Sequence, residues 1–366
     1  MELEVAGHRT EVVFAKSAGQ PSFDQLVNCY PFAVVYDTGA LSAAGIHGVD
    51  ISLPGINHKI KLCADEQHKT WSSVESILGT LLDNGAGRDD VLLGIGGGVL
   101  TDVAAFAASI YMRGIECVLA PTTLLAMVDA AFGGKTGMNY GGYKNMVGTF
   151  WPSSRLIIQV DFLRSLPDHE LRSGMGEVFK SAMLKDPVLW RMLQQQGAAL
   201  MAADRQDELA WQSKRELWLE IVRRSLAVKG AVVAADFRES GQRAFLNLGH
   251  TFGHAAESIL GFGAVPHGTL VVWGIVQAMR LGVRLGITRA SWCSQVEELA
   301  VELGYPLQIK LPAGKSIEDL IIAMRSDKKK RSGQVRFVLQ ADQSETLLQP
   351  VDESDLRGIL ADGVIT

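Results

Sequence analysis

The sequence predicts an α/β N-terminal half, residues 1–163, joined to an all-α C-terminal half, residues 164–366. Three observations carry this. Short aliphatic, β-branched runs alternate with helical patterns over the first 160 or so residues, which argues for a mostly parallel sheet covered by helices. From Pro167 onward apolar residues recur at helix spacing. At 366 residues the chain is too long for one average domain.

Phe32-Ala33-Val34-Val35-Tyr36 reads as a buried strand ending at Asp37, and Thr70 to Asn84 as a helix with Val74, Ile77, Leu78, Leu81 and Leu82 on one face. Val91 to Ile95 is a second strand. It runs into a triple glycine and then an Ala-rich helix from about Thr101. Cys117 to Pro121 and Leu156 to Val160 complete the strand set. Pro167 suits a helix opening. Further helices are expected at Met192–Met201, Glu208–Val232, Thr251–Leu260, Thr269–Leu285 and Ser291–Leu303, with a late strand at Gln334–Leu339.

Composition narrows function. There are 35 Lys plus Arg against 40 Asp plus Glu, a formal charge of −5, so general nucleic-acid or membrane-surface binding is not expected. Four separated cysteines without a CxxC pair read as reduced, and no membrane span or signal peptide is expected; both point to the cytoplasm. Glycine is abundant, 38 residues, and dense between 94 and 148.

In Gly94-Ile95-Gly96-Gly97-Gly98-Val99-Leu100-Thr101-Asp102 a glycine run stands between strand and helix, where backbone N–H groups can approach a phosphate. It is not GxGxxG, and the simpler reading is a tight turn needing positive φ. Gly133-Gly134-Lys135-Thr136-Gly137 fails as a P-loop because position 129 is Asp129. With Lys144-Asn145 it leaves two lysines and an amide in a glycine-rich loop, suited to a phosphorylated substrate or simply to solvent. His250 and His254 are i, i+4 and share a helix face, half of a zinc motif without HExxH. His267 is a third candidate and Glu177 a candidate carboxylate; paired histidines are also common as packed core. Lys229 and Arg243 flank Asp236, with Asn247 four residues beyond Arg243, so Arg243 and Asn247 could share a site. The run Asp327-Lys328-Lys329-Lys330-Arg331 reads as a solvated turn before a strand.

Taken in order from about 66 to 339, these segments resemble the 3-dehydroquinate synthase family of the sugar phosphate cyclases. The resemblance implies a Rossmann-like NAD-binding domain (1–163) and a helical metal- and substrate-binding domain (164–366), with the active site between them, in a cytoplasmic homodimer of the shikimate pathway to aromatic amino acids. It places NAD at Asp37, Glu66, Lys69, Gly96, Gly97, Gly98, Asp102, Thr122 and Thr123. It places Zn2+ (or Co2+) on Glu177, His250 and His267. Asp129, Lys135, Lys180, Lys229 and His254 become catalytic, His254 as a phosphate-side or proton-relay residue. Arg113, Lys144, Asn145, Arg243, Asn247 and Lys328 (or Lys329) become substrate-binding, with Arg113 reaching a neighbouring subunit and Arg243 with Lys229 gripping a carboxylate. The implied reaction converts 3-deoxy-D-arabino-heptulosonate 7-phosphate to 3-dehydroquinate and phosphate, a phosphate-eliminating lyase step with NAD recycled. Alternatives are a cyclase of the valiolone or inosose type, a metal-dependent polyol dehydrogenase, or a non-catalytic descendant. Phe237, Thr269 and Thr101 depart from the family pattern.

Overall fold

The computed structural model describes residues 1–5, 7–15, 22–27, 31–37, 39, 56–239, 241–261, 263–328 and 336–365. Gln334 and Val335 of the expected late strand, Lys329 and Cys29 lie outside these, as does the side chain of Lys328. Among the described residues no helix is long and apolar enough to cross a membrane.

The chain divides into two compact units, Met1–Leu171 with Asp204–Arg238, and Arg172–Ala203 with Glu239–Thr366. Where the sequence reading expects one cut at residue 163, the helix Glu208–Ala235 instead belongs to the sheet unit. The reason is a buried carboxylate. Asp161 accepts from Trp211 Nε1 at 2.7 Å and from Arg215 Nε at 3.2 Å, both on that helix. A buried acid must find donors; Gln159 supplies one locally, and the other two come from residues 50 and 54 further along the chain.

The first unit is built on a seven-stranded sheet. Its strands are β1 (Glu2–Val5), β2 (His8–Phe14), β3 (Ala33–Asp37), β4 (His58–Leu62), β5 (Val91–Gly96), β6 (Glu116–Pro121) and β9 (Arg155–Ile158), in the order β1-β2-β9-β6-β5-β3-β4. Every pairing is parallel except the β1–β2 hairpin at one edge. The N-terminal strands β1 and β2 are not expected from sequence; their alternation is short and half polar. β5 is buried almost throughout, as a central parallel strand covered on both faces must be. The helices Trp71–Asp83 and Gly98–Ile110 agree with the periodicity, the second starting three residues before Thr101.

β7 (Lys135–Tyr140) and β8 (Tyr143–Phe150) form a separate antiparallel hairpin where a glycine-rich loop is expected. Gly137 and Gly148 lie back to back across it, so close that a Cβ on Gly148 would stand 2.1 Å from the Thr136 carbonyl oxygen. These glycines therefore serve strand pairing.

The second unit is helical. Helices run over Asp168–Lys185, Pro187–Met192, Ala198–Met201, His250–Leu260, His267–Arg284, Ala290–Glu302, Ile317–Lys328 and Glu353–Gly363. Phe252, Trp273 and Phe337 meet in its core. The expected late strand is found as β11 (Arg336–Gln340), paired with β12 (Thr346–Pro350), and one further small pair, β10 (Ile309–Lys310) beside β13 (Val364–Ile365), is added to the expected all-α half. Strands of two residues leave too little alternation to read.

Candidate active site and metal centre

Strand order locates the crevice of the first unit. The chain passes from β3 outward to β4 and then crosses to β5 on the other side of β3. Open α/β sheets bind ligands at such a reversal, outside the carboxyl ends of the strands. Asp37 closes β3 and Gly96 closes β5. Gly97 caps the helix Gly98–Ile110, and Thr122 and Thr123 follow β6, the Thr122 N–H donating to the Gly96 carbonyl at 2.9 Å. None of Gly94, Gly96, Gly97 or Gly98 has positive φ. A Cβ on Gly96 would meet Leu100 at 2.8 Å, and one on Gly97 would meet Thr123 at 3.1 Å. The run is glycine because helix and strand approach closely, not because the turn is left-handed. Thr101 is buried and its hydroxyl donates to the Gly98 carbonyl at 3.0 Å, so this departure is absorbed by the helix's first turn.

Polar residues gather beside the crevice. Lys69 Nζ donates to Asp102 Oδ2 at 2.6 Å and to Asn145 Oδ1 at 2.5 Å. Lys144 Nζ stands 3.8 Å from Glu66 Oε1. Burial pushes the Asp102 carboxyl up from its ordinary pKa, against the pull of the Lys69 ammonium. Three residues of the expected NAD set and two of the expected substrate set are thus neighbours. Asp129 sits on a π-helical turn, Ala126–Ala130, where Lys229 reaches it. Lys229, expected to grip a substrate carboxylate, has its ammonium engaged by Asp129. Lys135 is exposed at the start of β7. Arg113 is exposed on a turn in which Met112, Arg113 and Gly114 all have positive φ. Phe237 meets Phe150 edge-on at 5.3 Å and crowds Gly134, so an aromatic contact occupies its place.

The second unit holds a different set. Glu177, on the helix Asp168–Lys185, ion-pairs with Lys180 one turn later, and both are almost fully buried. Glu177 Oε1 makes no hydrogen bond. It lies 3.6 Å from His250 Nε2 and 3.5 Å from His267 Nε2. One donor atom from each of the three lies within 4.8 Å of the others. Ligands about 2.0–2.2 Å from a tetrahedral zinc stand about 3.3–3.6 Å apart, so a buried carboxylate and two imidazoles here have the spacing of a three-ligand centre.

The outer nitrogens fit as well. His250 Nδ1 faces the Leu248 carbonyl at 3.2 Å, and His267 Nδ1 faces Glu257 Oε2 at 3.9 Å. Metal-binding histidines are commonly oriented through their other nitrogen in this way. The His254 ring lies 5.2 Å from that of His250 and 6.0 Å from that of His267, beside the triad but outside it. Burial and the Lys180 ammonium hold His250 well below its ordinary pKa, despite Glu177. Burial would raise Glu177, but Lys180 and the imidazoles hold it well below the carboxylate range.

Glycines set this geometry. Gly176 and Gly268, each adjacent to a triad residue, are back to back: a Cβ on Gly268 would stand 1.9 Å from the Ser173 carbonyl oxygen. Gly274 and Gly249 do the same for the other helix crossing, at 2.1 Å. Gly249, at φ +80°, also separates the 3-10 turn Gln242–Asn247 from the helix His250–Leu260, so Arg243, Asn247 and His250 do not share one helix. Arg243 is buried at 2% exposure, and Asn247 Nδ2 donates to Glu239 Oε1 at 2.8 Å. Thr269 buries its hydroxyl oxygen without a hydrogen bond. Sequence reading misses Glu239 and Glu257, although His250, His254 and Glu257 at i, i+4, i+7 mark one helix face. A second group, Cys63, Asp65 and His68, is exposed, and its carboxylate is already spent capping the 3-10 turn Glu66–His68.

Comparison with known proteins is consistent throughout. The family model described as 3-dehydroquinate synthase N-terminal matches residues 59–173, and that described as 3-dehydroquinate synthase C-terminal matches residues 174–330. The 3-dehydroquinate synthase of Nostoc punctiforme is 39% identical over 303 residues, 83% of this chain and 78% of its own. That of Xanthomonas campestris pv. campestris is 40% identical over 310 residues, 83% of this chain and 80% of its own. A 2-epi-5-epi-valiolone synthase from Streptomyces hygroscopicus, solved with NAD+ and Zn2+ bound, superposes with a TM-score of 0.83 at 26% identity over 98% of this chain and 96% of that one. A 2-deoxy-scyllo-inosose synthase, complexed with carbaglucose-6-phosphate, NAD+ and Co2+, reaches 0.81 at 19% identity over 99% of both chains. A probable glycerol dehydrogenase of Sinorhizobium meliloti shares the fold at a TM-score of 0.60 and 14% identity, over 96% and 95% of the two chains.

Proposed function

The chain belongs to the 3-dehydroquinate synthase family, and from that premise we propose that it converts 3-deoxy-D-arabino-heptulosonate 7-phosphate to 3-dehydroquinate and inorganic phosphate. NAD and a divalent metal, Zn2+ or Co2+, are the cofactors of this reading. The observation that carries it is the convergence of Glu177, His250 and His267 around an unbonded buried carboxylate oxygen.

Glu177, His250 and His267 would hold the metal. Asp37, Glu66, Lys69, Gly96, Gly97, Gly98, Asp102, Thr122 and Thr123 would hold the nucleotide at the strand ends. When bound, NAD supplies a temporary acceptor for a substrate hydride and the metal a Lewis acid for neighbouring hydroxyls. Lys180, buried beside Glu177, would offer N–H donors to the oxygen of a substrate hydroxyl that loses its proton. His254, next to both triad rings, is placed to carry that proton. Asp129 holds the Lys229 ammonium in place, and Lys135 and Lys144 supply cation for the phosphate. Arg243 and Asn247 would bind the substrate's polar groups, and the resemblance adds Lys328 and a second copy's Arg113 to the substrate-binding set. This assigns the protein to the cytoplasm, as a homodimer.

A cyclase for a sugar phosphate without a carboxylate is the second reading, favoured by the fold shared with the valiolone and inosose synthases. Arg243 favours the first reading, because a guanidinium is well shaped to grip a substrate carboxylate bidentately. One assay decides. Zinc-loaded protein with the heptulosonate phosphate and catalytic NAD should release one phosphate per substrate without NADH accumulating. Phosphate from sedoheptulose 7-phosphate or glucose 6-phosphate alone would establish the second reading. Lasting NADH from a simple polyol would establish a dehydrogenase.

A further inference from the structure

Asn139 belongs to none of the residue sets above, yet it touches three of their members. It lies on β7 where the register with β8 shifts between Met138 and Tyr140. A bulge leaves a strand residue outside the ladder and frees its backbone for other partners. The Asn139 N–H donates to the Lys69 carbonyl at 2.7 Å. Its carboxamide is used at both ends. Nδ2 donates to Glu66 Oε1 at 2.8 Å and to the Glu66 carbonyl at 3.3 Å, while Oδ1 accepts the Asn145 N–H at 3.0 Å.

Those bonds close a ring. Asn145, whose backbone Asn139 holds, accepts from the Lys69 ammonium, and Lys69 also grips Asp102. Asn145 stands at φ +54°, a left-handed conformation that asparagine tolerates better than most residues. Lys144 faces Glu66 from the same segment. One side chain must here donate to a carboxylate and accept from a backbone N–H. A carboxamide does both from the two ends of one planar group.

We propose that Asn139 is a positioning residue that locks the Glu66–Lys69 turn, on the nucleotide side, to the Lys144–Asn145 segment, on the substrate side. Nucleotide and substrate are then bound on one rigid frame. The inference rests on the NAD and substrate assignments proposed above. It adds a residue that contacts neither ligand but sets the geometry for both.

The test uses full-length, zinc-loaded protein, with NAD affinity from titration calorimetry and KM and kcat from phosphate release. Asn139→Asp keeps the acceptor for Asn145 but turns the donor toward Glu66 into a second carboxylate oxygen. It should weaken NAD binding on the order of 10- to 100-fold, the worth of a hydrogen bond to a charged group. Asn139→Ala removes both bonds and should raise the substrate KM as well. Glu66→Gln with Asn139→Asp reverses donor and acceptor. That double variant should bind NAD at least about tenfold more tightly than the product of the single losses allows. The proposal is overturned if Asn139→Asp binds NAD within twofold of wild type, or if the two losses simply multiply. A lower melting temperature with unchanged NAD affinity and KM would also overturn it. The failure of the underlying reading looks different: the wild-type protein itself would take up no NAD.

Discussion

Lys229 donates to the backbone oxygen of Asp129 at 2.7 Å and ion-pairs with the Asp129 carboxylate, joining residues 100 apart in the chain. The pair pins the helix Glu208–Ala235 to the π-helical turn Ala126–Ala130 in the sheet unit. Lys229→Ala removes a charged donor from the Asp129 carbonyl and from its half-buried carboxylate, and should cost about 1–3 kcal/mol of stability. Asp129→Asn keeps the bond to the backbone and should cost less. Denaturant unfolding of the metal-free, NAD-free protein reads both, and the opposite order would dissolve this account of the pair.

Glu257 faces the outer nitrogen of His267. Removing its charge should loosen the ring without removing a ligand. Glu257→Gln should therefore lower zinc affinity by about 10- to 100-fold. Competition against a chelator measures this. Wild-type affinity in the variant would mean that His267 is oriented by something else.

The same histidine gives a pH dependence in metal-stripped protein. Burial disfavours the imidazolium of His267, but Glu177 and Glu257 outweigh it and push the pKa up to about 9. An unfolded histidine titrates near 6.5. A native pKa above the unfolded one means that the native state holds the extra proton. The stabilisation is complete below about pH 6.5 and is lost as pH rises through about 9. Urea unfolding of stripped protein should show falling stability across that window. His267→Gln should flatten it, and bound zinc should too by excluding the proton. A stripped wild-type protein of constant stability from pH 6.5 to 9 would contradict the ion pairing.

Each motif alone left its role open in the sequence, and it was the ordered resemblance across many segments that named the set of site residues. The strand–helix alternation gave the sheet, and Glu177, His250 and His267 meet despite their separation. What was illegible depended on long-range partners. Nothing local to Trp211 or Arg215 says that Asp161 awaits them. Nothing around Asn139 says that a bulge will free its backbone. The hairpin β7–β8 looked like a loop because its glycines, chosen for close strand contact, also belong to turns.

The triad depends on backbone proximity more than on any side chain near it. Gly176 and Gly268 precede and follow triad residues, and at their crossing the main chains of two segments nearly touch. A methyl on Gly268 would fall 1.9 Å from the Ser173 carbonyl oxygen and one on Gly176 would fall 2.4 Å from the Gly268 oxygen. The obstacle in both cases is main chain, which cannot rotate aside as a long side chain can. Gly268→Ala should therefore cost at least about 3 kcal/mol, the upper range for overpacking, and should abolish tight zinc binding by forcing His267 away from Glu177. Gly263→Ala is the control for glycine loss alone: its Cβ would meet nothing within 4 Å, although its φ of +81° adds local strain. It should lose some stability yet keep zinc affinity. Zinc titration and urea unfolding of both variants separate the effects. If Gly268→Ala kept wild-type zinc affinity, the triad would have to be held by side-chain contacts rather than by this crossing.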